Sequence, residues 1–261
     1  MSNRRSGLRR QVLTGQIIIV GLFLGLWELS TRAGWIGSEL LAPFSTALVR
    51  LVQLMGTPSF VRDFGATASR VAIAFLIGAP AALICGFALG EWRQAEKLTR
   101  PLVNFALGIP QSIFLPIFIL VFGIGAMQKI VFGITHLFFV TLVNTIAAVR
   151  SIPQEQVQAL RSFGASRWQI YTRLYLPGML PLVLTGLRLG MSFNILGVLL
   201  AEMYASQSGL GMAIFTWGES GDTVPLTAAI IAISVSTILL NEIMRVFERR
   251  ATRYQLEMQA A

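Results

Sequence analysis

Runs of about twenty mainly apolar residues recur along this chain, separated by short polar segments, and that alternation leaves few folds open. Backbone inside hydrocarbon must satisfy its own hydrogen bonds, so each run is expected to be a membrane-spanning helix. Six runs qualify, at 12–33, 66–90, 101–122, 129–149, 185–204 and 224–247. Composition agrees, since 54% of the 261 residues are hydrophobic and only 13% are charged, against roughly a quarter charged in an ordinary soluble domain. The expected fold class is therefore an all-α integral membrane protein with six transmembrane helices. Residues 1–11 and 248–261 form tails, and 12–247 form the spanning domain with a polar loop at 150–184.

The net charge of +9 does not point to nucleic acid. The arginines form no long basic face; they cluster between apolar runs, as in cytoplasmic membrane loops. With the N-terminus inside, one side receives Arg4, Arg5, Arg9, Arg10, Arg93, Lys97, Arg100, Arg150, Arg161, Arg167, Arg173, Arg188, Arg245, Arg249, Arg250 and Arg253. The other receives Arg32, Arg50, Arg62, Arg70 and Lys129. This bias predicts both termini, and the 150–184 loop, in the cytoplasm. The first run has no clean small-x-small cleavage site, so it reads as an uncleaved span rather than a signal peptide. The outer segment 38–65 is expected to carry a short amphipathic helix, "STALVRLVQLM", and the Gly- and Ser-rich segment 205–223 an outer loop.

The polar loop holds "QALRSFGASRWQIYTRLYLP", residues 158–177. Upstream, "SIPQ" at Ser151–Gln154 has capping-box spacing and predicts a helix from Ile152 to about Phe163. Gly164 suits the left-handed position that ends a helix. "SRWQ" at Ser166–Gln169 starts a second helix, expected to stop at Leu176–Pro177 because the residue before proline disfavours the helical region. Val157 and Leu160 form one apolar edge and Trp168, Tyr171, Leu174 and Tyr175 another, with Arg161, Arg167 and Arg173 on a polar face. Two placements satisfy that pattern: an amphipathic hairpin lying on lipid, or an element that docks on a protein.

Several chemistries lack their residues. A phosphate-binding loop needs Gly-Lys followed by Ser or Thr, yet the only lysines lie in "EKL" (Lys97) and "QKI" (Lys129). One histidine and one cysteine exclude His-pair and Cys-x-x-Cys metal sites, so no cofactor or metal is expected. His136, within "GITHLFF", reads as a hydrogen-bonded interior residue, and Cys85 as a small core residue. Polar groups inside spans face a bundle interior or a water-filled path. Gln111 and Ser112, between Pro110 and Pro116, together with Asn144, Asn194 and Glu202, are the candidate path residues, and Glu202 also suits the membrane–water boundary. A secondary transporter driven by an ion gradient would want buried carboxylates or inverted repeats. A membrane enzyme would want a catalytic cluster at the surface.

The loop resembles the signature segment of bacterial ABC-importer permeases, in which Glu-Ala-Ala, three residues, Gly, nine residues and Ile-x-Leu-Pro recur. Here Gln158-Ala159-Leu160, Gly164 and Leu174-Tyr175-Leu176-Pro177 keep that spacing. Gln158 stands for the usual Glu, Leu160 for Ala and Leu174 for Ile; Glu155, one turn away, is a substitute carboxylate. "LPIFILVFGIG" (Leu115–Gly125), "GASRW", "LTGLRLG" (Leu184–Gly190), "AEM" (Ala201–Met203) with "GLG" (Gly209–Gly211), and Trp27–Glu28 resemble the nitrate/sulfonate/taurine branch. The resemblance implies a type I importer permease fold in a bacterial inner membrane, with no ATP hydrolysis on this chain. It further implies two ATP-binding subunits, a second permease copy in a homodimer, and a periplasmic or lipid-anchored solute-binding protein. Gln158, Ala159, Leu160, Gly164, Ala165, Ser166, Arg167, Trp168, Leu174, Leu176 and Pro177 would then be the residues that couple to the ATPase.

Overall fold

The computed structural model describes residues 2–251, with side chains from residue 14 onward. Residues 252–261, Arg253 among them, and the side chains of Arg4, Arg5, Arg9 and Arg10 lie outside what is described. Among the described residues all regular structure is helical. The elements are α1 (Ser2–Arg32), α2 (Phe44–Met55), α3 (Pro58–Glu91), α4 (Arg93–Gly108), α5 (Leu115–Phe122), α6 (Ala126–Arg150), α7 (Gln154–Ser162), α8 (Arg167–Ile170), α9 (Leu176–Tyr204), α10 (Leu210–Glu219) and α11 (Thr223–Ala251). Among the described residues five helical stretches are long and apolar enough to cross a membrane, and six if the bent α4–α5 pair is one span. The expected spans 66–90, 129–149, 185–204 and 224–247 fall inside α3, α6, α9 and α11, and 12–33 overlaps α1.

Four local expectations are corrected. The run 101–122 is not one straight helix: α4 and the segment Gln111–Phe122 meet at 85°. Ile109, held extended ahead of Pro110, stops α4, and a 3-10 turn at Gln111–Phe114 restarts the chain. Helix does not end at Leu176–Pro177. The chain is helical from Arg167 to Tyr204, through a π-helical turn at Tyr171–Tyr175. Pro177 has no N–H to give and crowds the carbonyl four residues back; the widened turn absorbs this, with Leu176 N–H donating to Tyr171 O. Ser151 does not cap α7, because its hydroxyl donates to Ala148 O at 2.8 Å at the end of α6, and Pro153 takes the N-cap position. The Gly-Ser segment 205–223 is not all loop, since α10 occupies its centre.

The chain divides into two compact units. The first comprises residues 1–61 and 213–233. In it the indole of Trp27 donates to Ala42 O at 3.1 Å and its ring lies 5.5 Å from that of Phe44. The neighbouring Glu28 carboxylate accepts from the Ser45 N–H at 3.0 Å and hydroxyl at 2.6 Å, and from Arg32 at 2.5 Å. Pro43 offers no side-chain cap, so Glu28 satisfies a free amide at the start of α2 from outside the helix. The motif Trp27–Glu28 is thus a clamp holding the amphipathic α2 to the end of α1.

The second unit comprises residues 62–212 and 234–261. Its centre is the pairing of α6 with α9, where small residues let backbones approach. A Cβ on Gly186 would lie 2.5 Å from the Asn144 Cβ, and one on Gly197 2.8 Å from the His136 ring. His136 is buried and hydrogen-bonds Phe132 O at 3.0 Å, as an interior histidine should.

Candidate functional site

The hairpin α7–α8 is built as its sequence demands. Gly164 has φ +77, and two bonds close the end of α7: Gly164 N–H to Arg161 O at 2.9 Å and Ala165 N–H to Leu160 O at 3.0 Å. This is the Schellman arrangement, which needs a left-handed residue at that position. Ser166 and Gln169 then form the expected capping box, the Gln169 N–H donating to Ser166 Oγ at 3.3 Å and the Ser166 N–H to Gln169 Oε1 at 2.8 Å.

The candidate coupling residues separate into two groups. Leu160, Ala165 and Leu174 pack inward, against a buried cluster of Ala148, Val149, Ile152, Val157, Ile170, Tyr175, Met179 and Val183. Gln158, Ala159, Gly164, Ser166, Arg167, Trp168, Leu176 and Pro177 are exposed. The Tyr171 hydroxyl donates to Glu91 at 2.6 Å and its ring meets Phe87 at 5.8 Å, tying the hairpin to the end of α3. An apolar hairpin face is therefore already used internally. Outward stand Trp168, 74% exposed, and Phe163, 87% exposed. No motif in the sequence singles out Phe163. Its signal was its place directly before Gly164, at a turn too tight to bury a ring.

Beside the hairpin lies an open cavity of about 730 Å³ between the first turns of α4, the end of α6 and α7–α8. Its lining includes Arg93, Lys97, Arg150, Arg161 and Arg167, with Glu91 and Glu96. Glu96 is buried and engaged by Arg150 at 3.1 Å and Arg100 at 3.4 Å. No single motif carries these residues, so the sequence does not show that they share one space.

The candidate path residues are not brought together. Asn144 bonds its own helix at Val140 O and packs on Gly186. Asn194 is fully buried, its amide donating to Val71 O at 2.8 Å. Glu202 is fully buried: it meets Arg70 at 2.5 Å and accepts from Thr67 at 2.8 Å and from the Gly211 N–H at 3.0 Å. Gln111 and Ser112 sit on the α4–α5 break. Ser112 is exposed, while Gln111 lines an apolar recess of about 220 Å³ with its buried Oε1 lacking a partner.

Comparison with known proteins places this arrangement. The family described as "Binding-protein-dependent transport system inner membrane component" matches residues 78–253. The taurine transport system permease protein TauC of Escherichia coli strain K12 is 29% identical over 257 residues, covering 97% of this chain and 93% of that protein. The formylaminopyrimidine transport permease protein ThiX of Halalkalibacterium halodurans is 26% identical over 190 residues, 73% of this chain and 75% of that one. Among solved structures, a bacterial alginate ABC transporter in complex with an alginate pentasaccharide-bound periplasmic protein contains a chain of the same fold. The match has a TM-score of 0.65 at 17% identity, covering 94% of this chain and 96% of that one.

Proposed function

This chain belongs to the family of binding-protein-dependent transport system inner membrane components, and from that premise we propose that its hairpin docks on a separate ATP-hydrolysing subunit and that its solute is a small sulfonate-type oxyanion. It is a multi-pass membrane protein and the permease subunit of an ABC importer. Family membership decides between the ATP-driven and ion-gradient readings in favour of the first.

The observation that carries the docking role is the division of the hairpin. Val157, Ile170 and Tyr175 anchor it to the rest of the second unit, while Phe163 and Trp168 stand outward on either side of the Gly164 turn. A partner with an apolar groove would take up the two rings. A rigidly seated hairpin passes a push from that partner into α6 and α9, because its base is continuous with both. Gln158 is exposed and uncharged, so the docking rests on the rings rather than on a carboxylate there.

The assembly we infer has two ATP-binding subunits, two copies of this chain, and a periplasmic or lipid-anchored binding protein, in a bacterial inner membrane with both termini cytoplasmic. The basic 150–184 side then faces the ATPase, as the charge bias requires. The likeness to a taurine permease supports a sulfonate-type solute. For the path itself, Gln111 and Ser112 are the residues we favour: they lie where the backbone is broken, and Gln111 keeps a free acceptor. Asn144 and Glu202 are occupied in packing within the second unit; the Asn194 amide donates to Val71 O, though its buried Oδ1 also lacks a partner.

The test uses the chain purified with the ATP-binding subunit from its own organism. Gly164→Trp should abolish co-purification and ATP-driven uptake, while Gly164→Asn, which tolerates the left-handed region, should retain both. If the Trp variant keeps the ATPase bound and uptake intact, the hairpin is not the docking element.

A further inference from the structure

The cavity beside the hairpin holds more positive charge than its own carboxylates can match. Five basic side chains and two acidic ones line it. Both acids are engaged: Glu91 accepts the Tyr171 hydroxyl, and Glu96 is held by Arg150 and Arg100. Arg93, Lys97, Arg161 and Arg167 form no ion pair among the described residues. Like charges gathered on one space repel, and a bound anion relieves that repulsion.

The lining also selects the kind of anion. Three of the four unpaired cations are arginines, whose planar forks match the paired oxygens of a sulfonate, sulfate or phosphate group. Val149, Ile152, Val157 and Ile170 supply apolar wall at the same cavity. A volume of about 730 Å³ lies within the usual range for small-molecule sites, roughly 300–1,000 Å³. It exceeds what a bare monatomic ion needs and leaves room for a short tail.

We propose that this cavity is a binding site for a tetrahedral oxyanion bearing a short organic tail, held by Arg93 and Lys97 of α4 and by Arg161 and Arg167 of the hairpin. Its place in the cytoplasm rests on the topology argued above; the binding itself does not. The anion bridges α4 to the coupling hairpin, two elements that otherwise oppose each other with like charges. Its source is either a free solute or the headgroup of an acidic lipid.

The experiment uses the full chain in nanodiscs. In the first arm, made of phosphatidylcholine, inorganic sulfate and ethanesulfonate are titrated at constant ionic strength made up with chloride. Saturable binding is expected, weakened about tenfold or more in the Arg93→Gln/Lys97→Gln variant, whose unfolding temperature should be unchanged. In the second arm, phosphatidylglycerol replaces part of the lipid without added sulfate, and tightly bound lipid is counted by native mass spectrometry. Retained phosphatidylglycerol that the double variant loses supports the site with a headgroup as its occupant. Binding in neither arm, or equal binding by the variant, overturns the proposal. So does a variant that loses only its hold on the ATP-binding subunit, which would make the cavity part of the protein interface. The Gly164 test reports on docking separately, since Arg93 and Lys97 lie outside the hairpin.

Discussion

At one end of α6 the charges are hidden and matched; at the other, roughly 30 Å along the helix, they are open and in excess. Lys129, at the first end, is fully buried and donates to the carbonyls of Ile124, Gly125 and Ala205. Close by, the Arg70–Glu202 pair is covered by the segment 205–211, with Arg70 also donating to Ser208 O at 2.8 Å and Ser208 Oγ at 2.7 Å. Gly209 N–H reaches Asp63 at 3.0 Å, and Leu210 N–H reaches Thr67 at 2.8 Å. Lys129, Arg70, Glu202 and Asp63 each have a fixed partner there within the chain. At the second end Arg150 shares Glu96, and Arg93, Lys97, Arg161 and Arg167 face open space. Buried charges that lose a partner are costly, whereas solvated ones cost little. The matched end therefore reads as architecture and the unmatched end as recognition.

The contrast can be broken most severely at the matched end. Glu202→Ala strands Arg70 in the interior and should destabilise by about 3–5 kcal/mol, read as a lost or strongly lowered unfolding transition in detergent. A transition equal to that of the native chain would remove the architectural role. Gly209→Ala comes next, by about 1–3 kcal/mol. The residue sits at φ +114, and a Cβ there would lie 2.5 Å from the Glu202 carboxylate. Thermal unfolding and yield measure it. At the unmatched end Ser166→Ala removes the cap of α8 and should cost about 1 kcal/mol. Hydrogen exchange should show faster exchange confined to residues near 166–170, with the matched end unaffected. The smallest effect on stability is expected for Arg161→Gln/Arg167→Gln, within about 0.5 kcal/mol. The same pair should sharply reduce ATP-driven uptake. A large loss of stability in that pair, with transport intact, would reverse the assignment of the two ends.

Much of this was legible in the residues. Hydrophobic runs located the spans because membrane helices must be long and apolar to be stable. Gly164 and the Ser166–Gln169 box gave the hairpin its turn, since both act through neighbours a few residues apart. The misses also have local causes. Pro177 predicts a stop because proline disfavours helix continuation, but a π-turn accommodates it. The 101–122 run reads as one helix because hydropathy is blind to direction, and only the backbone at Ile109–Pro110 makes the 85° bend. Nothing near Glu202 in the sequence shows that it is buried and paired, because its partner Arg70 lies 132 positions away.

By itself, then, the sequence determined an all-helical membrane protein, the positions of most of its long apolar helices and the glycine turn of its hairpin. Those follow from periodicity, hydrophobic length and capping, which act over at most a few turns. Only the tertiary structure decided which charges are paired. It joined Arg70 to Glu202, folded the 205–211 segment over them, and collected four unpaired cations from α4 and the hairpin into one cavity. Charge pairing is a property of distances between residues remote in the chain, and it takes the fold to set them.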